Sequence, residues 1–262
     1  MKSLRTKQIL DILERDGIVN TIALAEQFNV SIETIRRDFN HLENLGLINK
    51  VYGGAELKVP TAPPVSSFKS RQTHMAATKA ALGRRAISHI PDNSVVVLDS
   101  GTTVFECTRL LAGKKNMSYI CTDVHSATEL LAQGSTNIYI LGGKLTPYGT
   151  SSGAFAREFL SSISDVDFLL MSADGADPDA GFSSDEININ QVKQKCLQKT
   201  RNTIVIIDHT KFTKRGFYKT CDFSNIDILI TDSGTPQVII NKIRNLGITV
   251  DIVECPPEEC SY

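Results

Sequence analysis

One continuous stretch, residues 31–54, constrains the fold of this chain more than any other: SIETIRRDFNHLENLGLINKVYGG. Ser31 is a favourable helix N-cap, and residues 4–13 and 21–28 upstream have the apolar spacing of two further helices. Two helices joined by a tight turn and preceded by a third predict a helix-turn-helix domain, whose last helix inserts into the DNA major groove. The apolar residues after Ser31 recur on one helical face: Ile35, Phe39 and Leu42.

The opposite face of the predicted third helix is polar and contains paired arginines. Arginine can pair with guanine edges or phosphates, asparagine with adenine, and a hydroxyl at a helix N-terminus with a phosphate oxygen. Residues 47–57, with Gly53 and Gly54 at the turn, predict a short hairpin, a wing that can reach the DNA backbone or minor groove. The predicted DNA-contacting residues are Ser31, Glu33, Thr34, Arg36, Arg37, Asn40, Lys50 and Tyr52.

A structural role is the alternative for either arginine taken alone. Each has acidic neighbours with which it can form surface ion pairs, and such pairs contribute little to stability. The candidate acidic partners are Glu33, Asp38 and Glu43.

Charge is balanced in the amino-terminal part of the chain. Residues 1–58 contain eight lysines and arginines and eight aspartates and glutamates, and the whole chain has a formal net charge of -1. Binding to double-stranded DNA therefore has to come from a local basic surface, and a lone domain is expected to bind weakly. Because symmetric proteins match symmetric half-sites, we expect a homodimer or homotetramer.

Length and composition set further limits. A chain of 262 residues, 41% of them hydrophobic, can form one small module and one larger domain with a substantial core. No run of about 18 apolar residues and no apolar signal-type segment occurs, so we expect a cytoplasmic protein with no membrane partner. The six cysteines lack CxxC spacing, which favours buried reduced thiols over disulfides or a zinc site. We expect no metal and no cofactor.

A proline-rich stretch divides the chain. Residues 59–74 contain three prolines among small and polar residues, which predicts an extended linker. The predicted domains on either side are a winged helix-turn-helix domain at 1–58 and a larger domain at 75–254, followed by a frayed tail at 255–262.

The larger domain alternates helical and strand-like segments. It is predicted to begin with a helix over residues 75–90 that exposes Lys79, Arg84 and Arg85. Later runs such as VVVL and ILIT are continuously apolar, as expected when both faces of a strand are covered. The pattern predicts an α/β fold with a mostly parallel sheet between helical layers. The predicted strands are residues 94–98, 118–121, 138–141, 167–171, 203–207, 226–231 and 249–253.

Polar loops after the predicted strands are candidates for a ligand site, because such sheets bind ligands at the carboxyl ends of their strands. In the first loop, residues 99–103 (DSGTT), a small turn, hydroxyl groups and a helix N-terminus together can hold a phosphate. The alternative is an ordinary capped strand-to-helix turn. Further candidates follow the other strands: Thr122, Asp123, Gly142, Gly143, Lys144, Asp174, Gly175, Asp208 and Lys211.

Two sets of motifs run through the chain in order. The first is TIRRD, the leucine-spaced helix after it and the YGGA turn, and the second is LDSGTT, ILGGKL, SADG, DEININQVK, IDHTKF and DILITD. Together they resemble the DeoR family of bacterial transcriptional regulators, whose sensor domain is similar to ribose-5-phosphate isomerase. The resemblance implies a phosphorylated sugar or related metabolite as effector, with its phosphate at residues 100–103. The residues assigned to the effector are Asp99, Ser100, Gly101, Thr102, Thr103, Thr122, Gly142, Gly143, Asp174, Glu186, Lys193, Asp208 and Lys211.

The resemblance implies a sequence-specific DNA-binding repressor of carbohydrate-metabolism genes, modulated by its effector and without enzymatic activity. Two other classes stay open at this point. One is an isomerase-like sugar-phosphate enzyme with an appended DNA-binding domain, in which clustered Asp, Glu and Lys groups act as acid and base; the other is a structural nucleoid protein. Structural roles also stay open for individual residues: Asp174 and Asp208 as turn caps, Lys193 as a solvated helix residue, and Lys211 as an ion-pair partner of Asp208.

Overall fold

The structure is a computed structural model that describes residues 5, 6, 8–10, 12, 13, 18–44, 47–51, 53–57, 68–111 and 113–256. The chain divides into two compact units, Met1–Val65 and Ser66–Tyr262, here called the amino-terminal unit and the larger unit.

The amino-terminal unit is the predicted winged helix-turn-helix. Its elements are α1 (helical residues 5, 6, 8–10, 12 and 13), β1 (Ile18–Asn20), α2 (Thr21–Gln27), α3 (Ile32–Asn44), β2 (Ile48–Val51) and β3 (Gly54–Leu57). The wing strands β2 and β3 pair antiparallel, as predicted. Strand β1 was not predicted; it pairs with the other side of β3. Gly54 permits this pairing, because a Cβ there would lie 1.9 Å from the carbonyl oxygen of Val19.

The buried face of α3 holds the amino-terminal unit together. Ser31 Oγ accepts a hydrogen bond from the backbone N–H of Thr34 at 3.2 Å, so the helix begins where the sequence predicts. The three apolar residues of the predicted inward face are each at most 2% exposed and pack in one cluster with residues of α1, α2 and the sheet: Ile35, Phe39 and Leu42.

A buried carboxylate on α3 ties this helix to α1. Asp38 is 1% exposed and accepts two hydrogen bonds from the Arg5 guanidinium, at 2.5 Å from Nε and 3.2 Å from Nη2. The hydrogen bond from Arg5 to this carboxylate raises the pKa of Arg5. Asp38 is therefore not a surface partner of Arg36 or Arg37, and that alternative is wrong for this carboxylate.

The larger unit contains helices on both sides of a central sheet. Its elements are α4 (Phe68–Thr73), α5 (Ala76–Ile87), β4 (Val95–Leu98), α6 (Thr102–Leu111), β5 (Ser118–Cys121), α7 (Val124–Ala132), β6 (Ile138–Ile140), β7 (Lys144–Leu145), β8 (Ser151–Ser152), α8 (Ala154–Ser162), β9 (Val166–Met171), β10 (Gly175–Asp177), β11 (Gly181–Ser184), α9 (Ile187–Gln198), β12 (Thr200–Ile206), β13 (Tyr218–Cys221), β14 (Ile228–Asp232), α10 (Gln237–Asn245) and β15 (Thr249–Val253), with 3₁₀ turns at His209–Thr213 and Phe223–Asn225.

All seven predicted strands belong to one parallel sheet, in the order β15-β14-β12-β9-β4-β5-β6. Successive residues of a strand point to opposite faces, and in β4 Val97 enters one core cluster while Val96 and Leu98 enter the other. Both faces are thus covered, which explains the continuously apolar runs. Two small antiparallel sheets, β10-β11-β13 and β7-β8, were not predicted.

Two predictions near the start of the larger unit are wrong. Residues 68–73, within the predicted extended linker, form helix α4, because their side chains pack on the larger unit. Lys79, predicted to be exposed, is only 5% exposed, because its ammonium group donates to two backbone carbonyls at the end of α4.

The cysteines follow the prediction at four positions and depart from it at a fifth. Cys107, Cys121, Cys196 and Cys221 are buried free thiols whose pKa values are raised by burial, for Cys221 to about 12. Cys255 is disulfide-bonded and buried, so the expectations of a reduced thiol and of a frayed tail are both wrong at this residue. None of the helices in the described ranges is long and apolar enough to cross a lipid bilayer.

Replacing Arg5 tests the buried pair in the amino-terminal unit. Arg5→Met leaves the Asp38 carboxylate buried without its charged partner, so we expect the free energy of unfolding of this unit to fall by about 3 kcal/mol. Amide hydrogen exchange of α3 in the full-length protein measures this change. Arg36→Met is the matched control: its pair with Glu33 is exposed and 3.9 Å long, and its removal should change stability by less than about 0.5 kcal/mol. Equal losses in the two variants would contradict the structural role of the Arg5 pair.

Candidate functional site

The solvent side of α3 presents the residues predicted to read DNA. The side chains of Arg36, Arg37 and Asn40 are exposed, opposite the apolar face that packs into the core. At the helix N-terminus the hydroxyl oxygens of Ser31 and Thr34 lie 2.8 Å apart, so two hydroxyls are held together where the first backbone N–H groups have no intrahelical acceptor. This arrangement can donate to phosphate oxygens and to base edges.

The neighbours of the predicted DNA-contacting residues leave the arginines available. Among the described residues, the ion-pair contact of Arg36 is a long, exposed one with Glu33. Lys50 in β2 contacts Glu43 at 2.7 Å and donates to Asn40 Oδ1 at 2.8 Å, so it ties the wing to α3. Tyr52, also predicted to contact DNA, lies outside the described residues.

In the larger unit the predicted phosphate loop, residues 99–103, leaves β4 and enters α6. Gly101 has a φ of +140°, and a Cβ there would lie 2.6 Å from Ser172 Oγ, so this turn requires glycine. Thr102 and Thr103 are 7% and 5% exposed. The N–H of Phe105 donates to the Gly101 carbonyl at 2.9 Å, and the helix N–H groups before it have no acceptor within the helix. The loop thus has the backbone donors and hydroxyls that an anion needs.

A buried ion pair between Asp99 and Lys193 supports this loop on its inner side. The Lys193 ammonium, from α9, donates to the Asp99 carboxylate and, at 2.8 Å, to the Ser172 carbonyl. The Ser172 N–H donates to Asp99 Oδ2 at 3.1 Å, and its hydroxyl donates to the Ser100 carbonyl at 3.0 Å. Burial raises the pKa of Asp99, and Lys193 opposes that rise. The structure therefore brings Asp99 and Lys193 together, and the two side chains are bonded to each other.

The loop after β5 lies beside the phosphate loop. The N–H of Thr122 donates to the carbonyl of Leu98 at 3.0 Å, while the Thr122 hydroxyl is buried and has no hydrogen-bond partner among the described residues. Buried hydroxyls rarely stay unpaired, so this oxygen is a candidate to bond a ligand or a water. The next residue, Asp123, caps α7 instead. Beyond β6, Gly143 lies under the Ser152 carbonyl, where a Cβ would come within 2.6 Å of the oxygen.

The remaining predicted effector residues occupy structural positions at the same loops. Asp174 accepts hydrogen bonds at 3.0 and 3.1 Å from the end of β11. Glu186 caps α9 by accepting a hydrogen bond from a backbone N–H at 2.7 Å. Asp208 caps the 3₁₀ turn at His209–Thr213 by accepting a hydrogen bond from a backbone N–H at 3.0 Å. Lys211, in that turn, is half-buried, and Gly142 has open space around the position of a Cβ.

Helix α4, which the sequence did not predict, packs on three of these loops. The Phe68 ring meets Phe105 of α6 edge-on at 5.2 Å and stacks on His125 of α7 at 3.8 Å between ring centroids. One turn later, the Arg71 guanidinium lies 4.4 Å above the centre of the Tyr148 ring, in the loop between β7 and β8.

Lys79 of α5 fixes the end of α4. Its Nζ donates to the carbonyls of Arg71 and His74 at 2.5 and 2.7 Å. Burial lowers the pKa of Lys79 to about 8; Asp208 opposes this shift, and the nearby charges of Lys211 and Arg71 add to it. The charges of Asp208 and Lys211, in the loop after β12, therefore act on Lys79.

A second polar cluster joins β14 to the loop after β12. Asp232 accepts from His209 N at 2.8 Å and contacts His209 Nδ1 at 2.7 Å, and the two lie within 4.8 Å of the Cys255 sulfur. His, Asp and Cys are metal-ligand types, but the disulfide bond of Cys255 removes the thiolate that a metal would need. The two contacts between Asp232 and His209 connect the end of β14 to the turn after β12.

A cavity of about 710 Å³ lies elsewhere, between the end of α9, β13 and the turn at Phe223–Asn225. None of the predicted effector residues lines it. Its lining residues Lys219 and Asp222 are bonded to each other at 2.5 Å, so neither charge is held ready for a ligand.

Comparison with known proteins finds a family model for each part of the chain. The DeoR-like helix-turn-helix domain matches residues 5–61, and the DeoR C-terminal sensor domain matches residues 74–233. Ribose 5-phosphate isomerase A from Neisseria gonorrhoeae is similar over 55% of this chain and 56% of its own, with 16% identity and a TM-score of 0.40, a likeness too weak to support a functional assignment.

Two curated relatives align along almost the whole chain. The transcriptional repressor AccR of Agrobacterium fabrum is 30% identical over 90% of this chain and 91% of its own length. The glycerol-3-phosphate regulon repressor of Haemophilus influenzae is 27% identical over 93% and 94%. With matching domains in both units and relatives that align with both, the chain belongs to the DeoR family of transcriptional regulators.

Proposed function

We propose that this protein represses carbohydrate-metabolism genes and that a phosphorylated sugar or related metabolite controls its binding to operator DNA. The observation that carries the DNA-binding part is the division of α3 into a buried apolar face and an exposed face with two arginines. The metabolite class is supported by the phosphate loop and by relatives named as regulators of the glycerol-3-phosphate and aga genes.

In the proposed complex the N-terminal half of α3 enters the major groove. Arg36 and Arg37 pair with guanine edges or phosphates, and the amide of Asn40 bonds an adenine or a phosphate. Lys50, bonded to α3 from the wing, contributes positive charge beside the groove. Ser31 and Thr34 hold a phosphate at the helix N-terminus.

For the effector, the proposed site is the carboxyl edge of the seven-stranded sheet. Thr102 and Thr103 and the first N–H groups of α6 hold the phosphate, and the unpaired Thr122 hydroxyl bonds another polar group of the ligand. The buried pair of Asp99 and Lys193 supports the loop and does not contact the ligand directly.

An isomerase function has less support. It needs an acid and a base free to act on the ligand, whereas Lys193 and Asp99 are bonded to each other and Asp174 and Asp208 accept hydrogen bonds from their own loops. The relatives described above are named as repressors.

Control of DNA binding by the effector requires thermodynamic linkage. Effector and DNA must favour different arrangements of two reading domains, and the coupling is reciprocal, typically about 1 to 3 kcal/mol or roughly 5- to 150-fold in affinity. The proposal includes a homodimer or homotetramer, since two half-sites need two reading helices. Access to chromosomal DNA is consistent with the predicted cytoplasmic location.

Substituting the α3 arginines tests DNA reading. Arg36→Ala and Arg37→Ala should each weaken binding to a genomically selected operator by about 1 to 3 kcal/mol if they read bases. A phosphate contact should instead lower the slope of log affinity against log salt by about 1. Fluorescence anisotropy over a range of salt concentrations distinguishes the two.

Arg84→Ala, an exposed arginine on α5, is the matched control and should bind DNA as the unsubstituted protein does. Wild-type affinity in both α3 variants would overturn the assignment of this helix to base reading.

Substituting Thr102 tests the phosphate loop. Thr102→Val keeps the size of the side chain but removes a hydroxyl donor, so thermal stabilisation by phosphorylated sugars should decrease while DNA affinity is retained. A panel of phosphorylated sugars in a thermal-shift assay, followed by operator release, measures both. Thr136→Val, an exposed threonine at the amino-terminal edge of the sheet, is the control. The loop is excluded as the site if both variants respond to the panel as the wild type does.

A further inference from the structure

Helix α4 lies where the candidate effector loops meet. Phe68 contacts the first turns of α6 and α7, Arg71 lies on the loop between β7 and β8, and Lys79 joins the end of α4 to the charges after β12. Three loops at the carboxyl edge of the sheet therefore meet the six residues of α4, and Lys79 connects the end of this helix to the charges of a fourth loop.

We propose that Arg71 is an anion-binding residue of the effector site and that α4 forms the cover of that site. This inference rests on the proposed function, because it adds a residue and a wall to the same phosphate site.

The surroundings of Arg71 indicate that its guanidinium has room for a hydrogen-bond acceptor supplied by a ligand. The guanidinium carbon lies 4.4 Å from the centre of the Tyr148 ring, a cation–π contact that occupies none of the N–H donors. Its Nε is buried and has no hydrogen-bond acceptor among the described residues. A buried charged donor without an acceptor is costly, and a phosphate oxygen is the acceptor that a guanidinium edge fits best.

The local charge balance favours an anion as well. Lys79 interacts with two further cations, Lys211 and Arg71, and with two carboxylates, Asp208 and Glu106. Glu106 also contacts a further cation, Arg109, at 3.4 Å. Positive groups therefore outnumber negative ones among these residues, which favours a phosphate with its net negative charge.

The position of α4 in the chain gives this contact a second role. Only ten residues, 58–67, separate the last wing strand from Phe68. An effector held by both Arg71 and the phosphate loop fastens α4 to the larger unit, so ligand binding acts directly on the segment that joins the two units.

Calorimetric titration of the full-length protein with inorganic phosphate at constant ionic strength tests the inference. Arg71→Gln removes the charged donor and should weaken phosphate binding roughly 10- to 100-fold. Arg71→Lys keeps the charge but loses the planar guanidinium, so its phosphate affinity should lie between those of the wild type and Arg71→Gln. Lys69→Gln, an exposed cation on the same helix, is the matched control and should change affinity less than about twofold.

Hydrogen exchange of residues 68–73 supplies the second measurement. Phosphate should slow exchange of α4 in the wild type and in Lys69→Gln, and leave it unchanged in Arg71→Gln. If Arg71→Gln binds phosphate as the wild type does while Thr102→Val does not, Arg71 is not a ligand and the phosphate loop stands. If the wild type binds no phosphate, the inference and the proposed phosphate site both fail. Thermal unfolding followed by circular dichroism checks that each variant is folded.

Discussion

The proposed effector side of the larger unit depends on one lysine and one aspartate buried against each other. Burying two charges is costly, and such a pair holds only when the remaining donors and acceptors are also satisfied. Here Ser172 does this with its N–H, its carbonyl and its hydroxyl, which links α9, the end of β9 and the phosphate loop after β4. The loop is thus shaped by groups behind it before any ligand arrives, and a preorganised site loses less entropy on binding.

The same principle organises the amino-terminal unit. There the buried Asp38 joins α3 to α1 through Arg5, and the apolar face of α3 packs behind it. Both units therefore use an ionic contact on the inner side of a functional element, so the outer side can be polar and exposed. Recognition of a charged DNA backbone or a phosphate requires donors on the exposed side of an element whose buried side is held rigidly in place.

The sequence predicted best where burial repeats at a regular interval. The runs around Val97 and Val205 are apolar at consecutive positions because both sheet faces are covered, and all seven strands were found. It failed where a short element depends on distant partners. Helix α4 has six residues and no apolar periodicity, too few for a stable isolated helix. It forms because the Phe68 ring contacts residues 37 and 57 positions away.

Side-chain roles were harder to predict than elements. The sequence pattern of Lys79 is that of a surface cation on a helix, and nothing local shows that its ammonium would bind the carbonyls of Arg71 and His74. Lys193 and Asp99 are both predicted to line the effector pocket, but their spacing of 94 residues gives no sign that they form a buried pair with each other. Arg71 follows a proline-rich stretch, and no local pattern in the sequence distinguishes it from a linker residue.

The docked α4 also sets a length. With α4 in place, ten residues join the wing to the first anchored residue of the larger unit. Undocking would release six more, and since an extended residue spans roughly 3.3–3.6 Å, the reach of the tether would grow by about 20 Å. In the proposed oligomer, a longer linker lowers the effective concentration of the second α3 helix at its DNA half-site after the first α3 helix has bound. That concentration therefore depends on whether the six residues of α4 are folded.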